Sequence, residues 1–174
     1  AIVDQVAGVT RDRVGTRLEL APGTDPERIR LIELIDTGGY GIVDATDLTV
    51  EIDQQIAAGV AEADLILFVV DVQIGMTPLD QDVARVLRTS GSGGINATPV
   101  LMIANKVDSK SHEPAAHEMA RLGFSDPIMV SATSGDKKRE LLDQIAAHIN
   151  WDHFDQADQT NERGILLAIV GKRN

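Results

Sequence analysis

Cysteine is absent from the 174-residue chain. That excludes disulfides, thiolate nucleophiles and cysteine-ligated zinc, and it fits a reducing, cytoplasmic compartment. Positive charge is short as well: 16 lysines and arginines face 27 aspartates and glutamates, a net charge of −11. A polyanion binder needs a basic face to displace condensed counterions, so direct DNA binding is not expected. No apolar run approaches the roughly 18 residues that read as a membrane span, and no membrane partner is expected. A signal-peptide pattern is missing, as is any internal repeat. The four histidines, His112, His117, His148 and His153, stand at no spacing that reads as a metal site. The chain opens on Ala1 rather than methionine and closes on Gly171-Lys172-Arg173-Asn174, which reads as a piece of something longer.

What is present is ordinary globular material of one-domain length. Short runs rich in Val, Ile and Leu predict strands at Arg30–Ile35, Leu65–Val70, Val100–Ala104 and Pro127–Val130. Three of them are almost continuously apolar, as strands covered on both faces are. Stripes at helical spacing lie between them: Ile52, Ile56 and Val60; Val83, Val86 and Leu87; Leu141, Leu142, Ile145 and Ile149. Ahead of the second stripe, Thr77 can cap a helix, Pro78 suits its first turn and Asp80 can complete a capping box. This alternation predicts an α/β fold with a mainly parallel sheet flanked by helices. Arg17–Leu20 and Ile29–Ile35, separated by Pro22-Gly23-Thr24-Asp25-Pro26, predict an antiparallel hairpin at a sheet edge. Thr89–Gly94 reads as a surface connector, and residues 151–163 as an acidic linker. Beyond it, Gly164–Gly171 begins another apolar strand.

Polar motifs follow three of the strands: Asp36-Thr37-Gly38-Gly39, Asn105-Lys106-Val107-Asp108 and Ser131-Ala132-Thr133. In an open parallel sheet the strand C-termini share one edge, where ligands bind, so the three motifs converge on one crevice. Each has a chemical task. Asp36 can hold a hydrated Mg²⁺, a cation that takes carboxylate and water oxygens. Gly38 and Gly39 lack Cβ, so their N–H groups can approach a terminal phosphate. The Asp108 carboxylate matches the adjacent N1–H and N2–H donors of guanine, a pair that adenine lacks. A site built on such a pair discriminates by roughly 10⁴-fold. Asn105 can tie neighbouring loops together, the Lys106 stem can cover a ring face, and the Ala132 N–H, beside Ser131, can meet the guanine carbonyl.

The order of these motifs resembles the first GTPase domain of the Der (EngA) double-GTPase family, among the translation-factor-like GTPases. The likeness runs through Ala1–Asp4, Gly8–Arg13, Leu34–Tyr40, Ala63–Asp71, Gly75–Pro78, Asn105–Asp108, Leu122–Phe124 and Ile128–Ala132. It implies a P-loop GTPase-type fold, GTP and GDP as ligands, Mg²⁺ as cofactor, and a large-ribosomal-subunit precursor as partner of the parent protein. It also implies that Thr10 is the switch threonine that ligates Mg²⁺ beside Asp36, with Thr10 and Gly39 the catalytic candidates. Tyr40 stands where Ras-like enzymes carry a water-orienting glutamine, and the resemblance implies a cation-assisted route with K⁺ near the phosphates.

No G-x-x-x-x-G-K-[ST] phosphate loop occurs in the sequence. The resemblance places it, with the first strand and first helix, just before Ala1. Residues 1–150 then form a first GTPase domain truncated at its N-terminus. Residues 164–174 match the first strand and the start of the phosphate loop of a second domain, with Lys172 a variable loop position. A missing first strand would leave the sheet centre open, and the Ile165–Val170 run could fill that gap, in cis or from another molecule. Around Ser134–Glu140 the family's second glycine before the helix is absent. Two other functions stay open: a nucleotide-independent interaction module or inactive fragment, and a GTPase of the TrmE-like, tRNA-modifying type.

Overall fold

The computed structural model describes residues 14–36 apart from 24 and 26, together with 63–90, 98–151 and 164–171. The expected helical stripe at Ile52–Val60, most of the Thr89–Gly94 connector and the linker beyond Trp151 lie outside these residues. Among the described residues six strands, numbered in chain order, form one sheet in the order β1-β2-β6-β3-β4-β5. β1 (Val14–Leu20) and β2 (Arg30–Asp36) are the anticipated antiparallel hairpin, with Arg17 opposite Glu33. β2, β6 (Ile165–Gly171), β3 (Leu65–Asp71), β4 (Val100–Asn105) and β5 (Ile128–Met129) run parallel.

The apolar run at 165–170 is thus a central strand of this same chain. Ile35 lies opposite Ala168 on one side of β6, and Leu67 lies opposite Ile169 on the other. Its entry is fixed by Asp64, whose N–H donates to the Leu166 carbonyl at 2.8 Å while its carboxylate accepts the Leu166 N–H at 2.8 Å. Its exit is fixed by sterics. A Cβ on Gly171 would stand 2.4 Å from the Val69 carbonyl oxygen, so only glycine fits the sheet at this point.

Side chains of successive residues point to opposite faces, and both faces are covered. On one, Phe68, Val70, Met102, Ala168 and Val170 meet α1 (Pro78–Ser90) and the segment built from α2 (Glu113–Glu118) and the 3₁₀ turn Met119–Leu122. Phe124 closes this side, edge-on to Phe68 at 5.7 Å between ring centroids. On the other face, Ile32, Leu65, Leu67, Leu101, Ile103, Ile165 and Leu167 meet Ile145 and Ala146 of α3 (Lys138–His148), with Ile149 and Trp151 beyond its end. The indole of Trp151 is buried and donates to the Ala146 carbonyl at 2.7 Å.

The α1 start is the anticipated capping box. The Thr77 N–H and hydroxyl both donate to the Asp80 carboxylate, at 2.8 and 2.7 Å, and the Asp80 N–H donates back to the Thr77 hydroxyl at 3.2 Å. β5 is shorter than the Pro127–Val130 run suggested. Pro127 has no N–H to pair, while Val130 still donates to the Ala104 carbonyl at 2.9 Å and so extends the contact by one residue.

Candidate functional site

Because β2, β6, β3, β4 and β5 run parallel, their C-termini share one rim. Asp36 ends β2, Asp71 ends β3 and Asn105 ends β4, with Asp71 directly opposite Asn105 in register. The chain leaves β4 through Lys106, whose φ of 66° is a left-handed conformation rare outside glycine. The strain is held by local bonds. The Asn105 side-chain oxygen accepts the Lys106 N–H at 2.8 Å, and the Lys106 carbonyl meets a ring nitrogen of His112 at 3.1 Å. Val107 then donates to the Val130 carbonyl at 3.0 Å, which brings the turn after β4 against the turn after β5.

Between these turns lies a cluster of polar side chains. Ser131, only 1% exposed, donates its hydroxyl to one oxygen of Asp108 at 2.6 Å. The other Asp108 oxygen accepts from the side-chain amide of Gln73 at 2.8 Å. The Lys106 ammonium lies 2.7 Å from the Asp71 carboxylate, and the other Asp71 oxygen accepts the Gln73 N–H at 2.9 Å. Asn105 reaches across to accept the Ala132 N–H at 3.1 Å. Asp108 as a residue stays exposed. Since a carboxylate offers about four acceptor positions, two donors from within the chain leave room for two more.

The structure therefore gathers Asn105, Lys106, Asp108, Ser131 and Ala132 in one constellation, with Asp36 on the same rim at the end of β2. Thr10, Gly38 and Gly39 lie outside the described residues. Ala132 differs in one detail from the sequence expectation: its N–H is engaged by Asn105. Sequence reasoning assigned no role to Asp71 or Gln73. For Asp71 the signal was available in the rule that led to Asn105, since it ends a parallel strand; Gln73, two residues beyond that end, carried no such signal. After Ser131 the chain turns through Gly135 (φ 72°), held by the Ser134 N–H donating to the Ser131 hydroxyl at 3.2 Å. Lys137, with φ 57°, adopts before α3 the left-handed conformation that a glycine takes more easily.

Comparison with known proteins adds an independent line. Residues 1–106 match the family described as 50S ribosome-binding GTPase. The chain belongs to this GTPase family. It is also similar over its full length to proteins named GTPase Der: 41% identical to that of Rhodopirellula baltica, 38% to that of Bacteroides thetaiotaomicron and 35% to that of Desulfitobacterium hafniense. The chain spans 35% of the length of the first of these and 36% of the other two. In this GTPase frame, Asp36 and the Asp108 cluster lie on the rim where a doubly wound α/β sheet receives its ligand. No helix among the described residues is long and apolar enough to cross a membrane, and no three His, Asp or Glu residues among them gather as a metal site.

Proposed function

We propose that this chain is the guanine-reading part of a GTP-binding and GTP-hydrolysing ribosome-assembly factor, a nucleotide-state switch acting on the large ribosomal subunit precursor. The observation that carries the reading is the Asp108 carboxylate, on an exposed residue and held by Ser131 and Gln73 from within the chain. Guanine offers two adjacent N–H donors to such a fork, and adenine leaves it unpaired. Its carbonyl would take the Ala132 N–H from Asn105 or share it, and the Lys106 stem would lie along a ring face. The description of the matching family, 50S ribosome-binding GTPase, favours a ribosomal partner over tRNA modification.

Hydrolysis and switching rest on Thr10, Asp36, Gly38 and Gly39. The exposed Asp36 carboxylate is a hard oxygen donor of the kind Mg²⁺ takes while keeping several waters, so the chemistry fits that ion. Thr10 would complete its protein ligands, and the bound ion would neutralise charge on the phosphates. Movement of the Thr10 and Gly38–Gly39 segments with nucleotide state would alter docking on the ribosomal precursor. Potassium near the phosphates belongs to the same reading.

Calorimetric titration with GTP, GDP and ATP tests this. Guanine-selective heat, weak though it is without a phosphate loop in the sequence, supports the reading. Equal response to GTP and ATP, or no response to any of them, refutes it for this chain and leaves a nucleotide-independent module.

A further inference from the structure

Asp108 reads a base only if its carboxylate plane faces the base edge, and a lone aspartate on an exposed turn rotates freely about its last side-chain bond. Two donors stop that rotation. Ser131 holds one oxygen from a buried position. Gln73, from a different strand end, holds the other. Gln73 is in turn set by Asp71, which accepts its N–H and pairs with the Lys106 ammonium. The Asp71–Gln73 turn thus braces both charged residues of the Asn105–Asp108 motif. Gly75, at φ 72°, donates to the Val72 carbonyl at 3.3 Å and closes the turn.

We infer that Gln73 is a positioning residue for nucleobase specificity. Its amide fixes the second Asp108 oxygen, so that both remaining acceptor positions point at the paired N–H donors of guanine. This rests on the guanine-site reading above. Gln73 is exposed and packs into no core, so replacing it leaves the fold intact.

The test compares GDP, IDP and ADP binding to the full chain by NMR chemical-shift titration up to millimolar nucleotide. The chain is taken as it stands and with Gln73→Met or Gln73→Glu. Inosine keeps N1–H and lacks the 2-amino group, so the GDP-to-IDP ratio reports the two-point contact alone. Gln73→Met keeps the shape and removes the donor. It lowers GDP affinity about fivefold, the scale of one ordinary solvent-exposed hydrogen bond, and brings the GDP-to-IDP ratio toward one. Gln73→Glu sets a second carboxylate against Asp108, lowers GDP affinity further, and loses part of that penalty at high salt. A GDP-to-IDP ratio unchanged in both variants, with guanine preference intact in the parent chain, overturns the role of Gln73 alone. No guanine preference in the parent chain overturns the base-site reading and this inference with it.

Discussion

Replacing Gly171 with alanine probes the placement of β6. The added methyl carbon would lie 2.4 Å from the Val69 carbonyl oxygen and 3.3 Å from the Val69 carbonyl carbon. Both are backbone atoms of a central strand, with no flexible side chain to swing aside. Relief needs a shift of about 1 Å between β6 and β3, at the cost of ladder hydrogen bonds where Val69 faces Gly171. Strain of this kind costs about 1–3 kcal/mol, and one or two weakened bonds add about 1 kcal/mol each, so about 2–5 kcal/mol in all is expected. For a domain of this size that lowers the melting temperature by about 4–20 °C, measurable by circular dichroism. Gly23→Ala is the control, since a Cβ there meets nothing within 4 Å. Were β6 elsewhere than beside β3, Gly171→Ala would be neutral or slightly stabilising, because alanine loses less backbone entropy than glycine on folding. An unchanged or higher melting temperature refutes the placement.

Other perturbations follow from single contacts. Thr77→Ala removes the hydroxyl that links both halves of the α1 capping box and costs about 1 kcal/mol in urea denaturation. Asp64→Ala deprives the Leu166 N–H of its partner at the β6 entry and destabilises by about 1–2 kcal/mol, with faster amide exchange at Leu166. Lys137→Gly relieves a left-handed residue before α3. Because glycine also loses more entropy on folding, the net gain is about 0.5 kcal/mol, seen as a rise of one or two degrees in thermal melting.

Much of the sheet was legible because strands buried on both faces must be apolar throughout. Leu65–Val70 and Val100–Ala104 have almost no other environment open to them, and the Thr77–Asp80 pattern has few physical readings besides a cap. The position of β6 was harder to read. A run such as Ile165–Val170 states that it is buried but not between which neighbours, and pairing across more than a hundred residues leaves no local trace. The short elements between Lys110 and Leu122 escaped sequence reading for the opposite reason: few of their residues are buried, so no stripe forms. At the site, Asn105, Lys106, Asp108, Ser131 and Ala132 could be selected because donor and acceptor chemistry follows from residue type. Gln73 could not, since an amide on an exposed turn has many uses and only geometry shows it against Asp108.

The most direct test of the guanine site is base preference in the Asp108→Asn variant, measured by titration with GDP and XDP. The new amide would offer one acceptor to N1–H and one donor to the C2 carbonyl of xanthine. The parent chain is expected to prefer GDP and the variant XDP, with mispairing weakening GDP by up to about 10⁴-fold. A variant that still prefers GDP contradicts the assignment of Asp108 as the residue that reads the base.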